Sequence, residues 1–187
     1  MKPHGHTDRD IEIVHKILTD YSYKAGLSRG INVLEWGAGA STSYWQRHVM
    51  NIERWEAVEH DPDWFDRVKE ETTGMLQVKL SLHCSFLKDR ATNEYGKTVV
   101  PHSYINFPST LNQRLDVIFV DGRYRRRCLL EAQKFLAPGG TVVLHDAQRD
   151  YYHSALGGYP IRSFIGDELW VGRVDTNCGS LPSWLVQ

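Results

Sequence analysis

The chain has 187 residues, 41% of them hydrophobic, which suffices for one sizeable core and suits one domain over 1–187. With 22 Lys and Arg against 23 Asp and Glu its formal net charge is -1, so no global field favours nucleic acid or an anionic membrane. No apolar run approaches the roughly 18 residues of a membrane helix, and Met1 to His6 lack the apolar core of a signal peptide. Cys84, Cys128 and Cys178 form no CxxC pair and leave one over from any disulfide, which suits a reducing, cytoplasmic setting.

Ile11, Ile13, Val14, Ile17, Leu18 and Tyr21 recur at helical spacing and predict an amphipathic helix over 8–25, inside an N-terminal helical segment 1–30 that Gly26 and Gly30 close. A strand over 32–36 and a helix over 42–48 follow. A second strand ends at Glu59, after which Asp61 and Pro62 suit the cap and first position of a helix over 63–71. Val78, Leu80 and Leu82 alternate with polar neighbours, as in a half-exposed strand over 77–84. Between 88 and 114 the pattern dissolves into a substrate-side insertion, whose Tyr95, His102, Tyr104 and Phe107 would supply aromatic contacts near the carboxyl edge of the sheet. The apolar run 117–120 reads as a parallel strand covered on both faces, a helix over 124–136 crosses over, and Pro138-Gly139-Gly140 turns the chain into a strand over 141–144. Segments 161–165 and 169–174 form a closing antiparallel hairpin.

The segment most telling of function is Ile31-Asn-Val-Leu-Glu-Trp-Gly-Ala-Gly-Ala-Ser-Thr42, where an apolar strand meets an acidic residue and two glycines before a helix. Gly37 and Gly39 let backbone approach a ligand without Cβ interference, and the helix offers free N–H groups. Glu59 ends the next strand, about twenty residues after the loop, where a βαβ unit places an acidic group on a cofactor ribose. A dinucleotide dehydrogenase would carry G-x-G-x-x-G, but Thr42 stands at the last glycine position.

Glu35-Trp-Gly-Ala-Gly-Ala-Ser41 instead resembles motif I, E/D-x-G-x-G-x-G, of class I S-adenosylmethionine-dependent methyltransferases, with Ser41 in place of the third glycine as in small-molecule O-methyltransferases. Val58-Glu-His-Asp61 is similar to the acidic end of that family's second strand, Leu115-Asp-Val-Ile-Phe-Val-Asp-Gly122 to its fourth, and Leu136 to Asp146 to the turn into its fifth. The resemblance covers 30–150. It implies an α/β fold, a three-layer Rossmann-like sandwich with a mostly parallel seven-stranded sheet and a C-terminal antiparallel hairpin. It also implies S-adenosylmethionine as cofactor, held by Gly37, Ala38, Gly39, Ser41, Glu59 and His60, with Glu35 near the ammonium group and Asp121 at the same edge.

Ligands of open α/β sheets bind outside the carboxyl ends of the strands, which sorts Glu35, Glu59, Asp121, His145 and Asp146 to the site and leaves Asp116, at a strand entry, as structural. His145 is the best general base by type and place, oriented by Asp121 or Asp146. The last two end adjacent strands about 5 Å apart and invite a divalent cation. Catechol-type O-methyltransferases add an Asn or Asp immediately after the second aspartate. Ala147 stands there, so no metal is favoured. Arg123, Arg125, Arg126 and Arg127 crowd a helix start against its dipole, which suggests an anionic small-molecule or glycan acceptor met by Arg123, with Tyr151 walling the pocket. The expected reaction is methyl transfer to oxygen of a small molecule or sugar. The alternatives are an N- or macromolecule-directed methyltransferase with the arginines as docking patch, and a non-catalytic nucleotide-binding module.

Overall fold

The computed structural model describes residues 5–25, 29–82, 102–178 and 180–185. Its elements run α1 (Asp8–Ala25), β1 (Ile31–Trp36), α2 (Ala40–His48), β2 (Ile52–Glu59), α3 (Pro62–Glu71), β3 (Val78–Leu82), α4 (His102–Ile105), β4 (Leu115–Val120), α5 (Arg125–Ala132), β5 (Leu136–Leu144), β6 (Ile161–Ile165) and β7 (Leu169–Arg173). The strands form one seven-stranded sheet in the order β3-β2-β1-β4-β5-β7-β6. Pairs from β3 through β5 are parallel, and β7 pairs antiparallel with both β5 and β6. The predicted α/β sandwich with its closing hairpin is therefore the observed architecture.

Side chains of a strand alternate between faces, and here each face meets its own core. Ile31, Val33, Val117, Phe119 and Val143 pack with Ile11, Val14, Ile17 and Leu18 of α1, Trp45 of α2 and Val68 of α3. Leu34, Trp36, Ile118, Val120, Val142 and Leu144 pack on the opposite face with Cys128, Leu129 and Ala132 of α5 and with Tyr104 and Ile105 of α4. The same alternation sends Glu35, Asp121 and His145, next in step after Val33, Phe119 and Val143, toward the α1–α2 side.

Local capping agrees with the predicted starts. Asp61 accepts from the N–H groups of Asp63 and Trp64, both at 3.0 Å, with Pro62 in the first turn of α3. Thr7 Oγ1 accepts from Asp10 N at 3.1 Å, and the fully buried Asp10 in turn accepts from Asp167 N at 2.9 Å, which ties the start of α1 to the β6–β7 turn.

Three expectations need correction. The helix predicted to reach Leu136 stops at Ala132, and β5 starts at Leu136 and runs through Pro138-Gly139-Gly140 rather than beginning after them. Leu136 pairs with Leu115 and the ladder then slips a register, and a Cβ on Gly140 would lie 2.9 Å from the carbonyl oxygens of Ala137 and Leu115. Of the insertion over 88–114, residues 102–114 carry α4 and a 3-10 turn over 107–110, where Tyr104 and Phe107 are core residues rather than substrate contacts. Trp36 Nε1 donates to the Tyr104 carbonyl at 2.9 Å, anchoring this segment beneath β1. Tyr95 and residues 83–84 lie outside the described residues.

Candidate functional site

The carboxyl ends of β1, β2 and β4 open onto a cavity of about 360 Å³, lined by Gly37, Ala38, Gly39, Ser41, Glu59, His60, Asp61, Trp64, Asp121, Gly122, Arg123 and Arg125, among others. That volume lies within the range of small-molecule sites. Gly37 has φ +92°, and a Cβ there would meet Gly122 backbone at 2.4 Å, so only glycine lets the β1–α2 loop pass this close to the β4 exit. Trp64, in the first turn of α3, donates Nε1–H to the Ala38 carbonyl at 2.6 Å and pins the loop from the other side.

Glu59 closes the cavity beneath β2. Its Oε1 accepts from His60 N and Asp61 N, both at 2.8 Å, with His60 Nδ1 at 2.6 Å. These bonds fix the carboxylate while using only one of its oxygens. Glu35 behaves differently. It is buried, accepts from Ser41 Oγ, from Thr42 Oγ1 at 2.6 Å and from Trp55 Nε1 at 2.8 Å, and does not line the open cavity. Burial outweighs these bonds and pushes its pKa up to about 7. It braces the loop and the first turn of α2 from behind.

Asp121 stands between the open cavity and a small closed pocket that it shares with His6, Glu35, Ser41 and His145. His145 Nδ1 lies 2.9 Å from Asp121 Oδ1, and the His6 ring stacks on His145 at 3.9 Å with its Nε2 3.5 Å from Asp121 Oδ2. Burial raises the Asp121 carboxyl, but hydrogen bonds from His145 and His6 and the charge of Arg125 more than reverse this and hold it well below the usual carboxylate range. Burial likewise opposes charge on His145, yet Asp121 and Asp146 prevail and its pKa is raised.

Arg125 organises this corner. Its guanidinium donates to the carbonyls of Gly122, His145 and Asp121 at 2.9, 2.5 and 2.7 Å, and lies 3.0 Å from Asp121 Oδ1 and 2.8 Å from Asp146 Oδ2. It thus spans the two carboxylates considered for a divalent cation and supplies the positive charge itself. Asp146, at φ +56°, also pairs with Arg149 at 3.1 Å and does not reach the open cavity. Among the described residues, two groupings have metal-ligand spacing: His6 with Asp121 and His145, and His145 with Asp146 and Glu168. Arg125 touches an aspartate of each, which argues against a cation at either.

Residues 34–147 match a family profile described as a methyltransferase domain. The chain belongs to this methyltransferase family. It is therefore an S-adenosylmethionine-dependent enzyme of class I. Solved structures share the fold over 77–98% of the methyltransferase chain. One is a methyltransferase-like protein from Silicibacter pomeroyi, 19% identical, covering 98% of this chain and 93% of that one at TM-score 0.67. Another is the O-methyltransferase from Bacillus cereus in complex with SAH, 13% identical, covering 90% and 81% at TM-score 0.64. A third is the fibrillarin pre-rRNA processing protein of Methanococcus jannaschii, 17% identical, covering 77% and 66% at TM-score 0.56. A search of curated protein sequences finds no significant match.

Of the residues expected at the site, the fold brings Gly37, Ala38, Gly39, Ser41, Glu59, His60, Asp121 and Arg123 to the open cavity. Glu35, His145 and Asp146 stand behind it. Tyr151 is 67% exposed and does not line it, lying instead under the Arg126 guanidinium at 5.5 Å. Sequence reasoning missed His6, Trp64 and the organising role of Arg125. Asp121 lies ahead of α5, outside the helix in which i, i+4 spacing brings side chains together, so no local pattern marked the last; nothing local marked His6. Among the described residues, no helix is long and apolar enough to cross a membrane.

Proposed function

We propose that the open cavity holds S-adenosylmethionine and that this cytoplasmic, single-domain enzyme transfers the methyl group to an oxygen of a small molecule or sugar. The observation that carries the reading is Glu59, a buried carboxylate with one oxygen committed to its own loop and the other left for a ribose diol. Bound cofactor supplies an electrophilic methyl group on sulfonium sulfur. Gly37, Ala38 and Gly39 would hold its methionine and ribose portions, His60 or Asp61 would flank the adenine, Ser41 closes the loop, and Glu35 acts by bracing that loop rather than by reaching the ammonium group.

Asp121 is the catalytic candidate, because it is the strand-end carboxylate of β4 that reaches the cavity wall. Held ionised, it accepts the hydrogen bond of an acceptor hydroxyl, takes up that proton as the oxygen is methylated and releases it to the solvent of the open cavity, and transfer gains mainly from proximity. His145 and Asp146 are positioning residues, the first bonded to Asp121 and the second tied to it through Arg125. Arg123, exposed on the cavity rim, favours an acceptor carrying a carboxylate or phosphate. No step needs a divalent cation.

Calorimetric titration with S-adenosylmethionine and S-adenosylhomocysteine tests this, on wild type and Glu59→Ala, with and without magnesium. Binding that weakens at least about tenfold in the variant, the loss of a charge-assisted hydrogen bond, and ignores magnesium is expected. Equal binding by both proteins overturns the Glu59 assignment. An acceptor panel of hydroxyl, amine and RNA substrates then decides the class, and transfer to amines or RNA alone overturns the oxygen reading.

A further inference from the structure

We propose that the opposite, amino-terminal side of the sheet carries a second ligand site, an anion pocket built around Arg173 that takes a small molecule bearing a phosphate or carboxylate group. The pocket is a cavity of about 390 Å³ lined by Tyr21, Lys24, Arg29, Asp116, Gly139 and Arg173, together with Pro138. Because β7 is antiparallel, its last residue, Arg173, returns beside Thr141, just after the β5 bulge. Asp116 lies at the entry of β4 and Gly139 in the β5 bulge. The methyltransferase cavity opens at the other end of these strands.

The charges of the pocket do not balance. Asp116 holds Arg29 bidentately, at 2.8 and 2.9 Å, and Lys24 pairs with Asp20, which is outside the lining. Arg173 has no such partner. Its residue is 5% exposed, its Nε donates to Thr141 Oγ1 at 2.9 Å, and among the described residues no carboxylate stands within ion-pair distance of it. A buried charge is costly unless something opposite answers it. Tyr21 answers it only in part: the guanidinium hydrogen-bonds its hydroxyl and lies 5.9 Å from its ring, but burial holds the phenol neutral, so no negative charge is supplied, and the hydroxyl is already donated to the Gly139 carbonyl and shared with Thr141 at 2.8 Å.

A planar guanidinium presents a fork that matches an oxyanion. With Lys24 at the rim to add a second cation, shared with Asp20, the pocket selects a phosphate or carboxylate group over a neutral ligand. It is independent of the cofactor reading, since none of its lining residues touches the methyltransferase cavity.

The test titrates the full chain with inorganic phosphate and, separately, with malonate, at constant ionic strength and with saturating S-adenosylhomocysteine. Saturable binding of one or both is expected, and the stronger of the two identifies the anion class. Lys24→Glu, on an exposed helix position, should weaken it about tenfold, and Arg173→Met should abolish it. Both variants should bind S-adenosylhomocysteine as wild type does. If Arg173→Met does not fold, Lys24→Glu decides alone. A response that only tracks ionic strength, binding unchanged in Lys24→Glu, or an anion displaced by S-adenosylhomocysteine would each overturn the proposal.

Discussion

Asp116 sits at the entry of β4 and Asp121 just beyond its exit, and each meets an arginine, yet the two pairs do different work. At the entry Asp116 takes Arg29 with both oxygens and Asn32 N at 2.9 Å, so its bonding capacity is spent on joining two strands. At the exit Arg125 spreads its donors over three backbone carbonyls and two aspartates, and Asp121 keeps a face on the cavity. A fully satisfied pair stabilises and offers nothing to a ligand, whereas a shared cation leaves each carboxylate held in place and still available. The entry side has a residual cation in Arg173, and the exit side has a residual anion in Asp121.

Breaking the exit clamp should be the sharpest test of this contrast. Arg125→Met leaves Asp121 and Asp146 without their common cation, and urea denaturation should show a loss of about 3–5 kcal/mol, as for removing one partner of a buried pair. A loss below about 1 kcal/mol would mean the clamp is incidental. Next in size is the pH response of Glu35, whose carboxyl keeps its proton in the folded protein up to about 7 against an ordinary value of 4.5. The folded state binds more protons between those values, so this residue makes stability fall as pH rises through that window, by about 3 kcal/mol in total. Glu35→Gln should flatten this part of the profile at some cost to the loop bonds, and an unchanged slope would remove burial as the dominant influence.

Asp116→Asn keeps an acceptor for Asn32 but loses the charge opposite Arg29, which is half exposed, so about 1–2 kcal/mol should go while cofactor affinity stays as in wild type. A fall in cofactor affinity would show the two ends of β4 to be coupled. Tyr151→Ala should be smallest, within about 0.5 kcal/mol for an exposed side chain. If Tyr151 contacts the acceptor, the change appears only as a raised KM for it, and an unchanged KM removes Tyr151 from the acceptor site.

Much of the methyltransferase architecture was legible beforehand because it follows from local pattern. The helical spacing of Ile11 to Tyr21 gives α1 at its observed bounds, and the Asp61-Pro62 pair gives the start of α3. The run 117–120 reads as a doubly covered strand because it is one. The elements that misled are those whose fate depends on a neighbour. Gly139 and Gly140 read as a turn, yet Leu115 pairs with Leu136 ahead of them and draws both into β5 as a bulge. Tyr104 and Phe107 read as substrate-side contacts, yet the apolar floor under β1 and β4 takes them into the core.

The sequence by itself determined the apolar strands, the helical faces, the glycine loop and the placement of acidic residues at strand ends, since hydrophobic periodicity and backbone freedom are properties of neighbouring residues along the chain. Tertiary structure alone decided what each charge does. Parallel pairing brings Glu35 beside Trp55 and Asp121 beside His145, while the packing of the N-terminal segment and the antiparallel return of β7 bring His6 to Asp121 and Arg173 to Tyr21. A carboxylate becomes a brace or a ligand according to how many donors surround it and how much water reaches it, and both are set by residues far away along the chain.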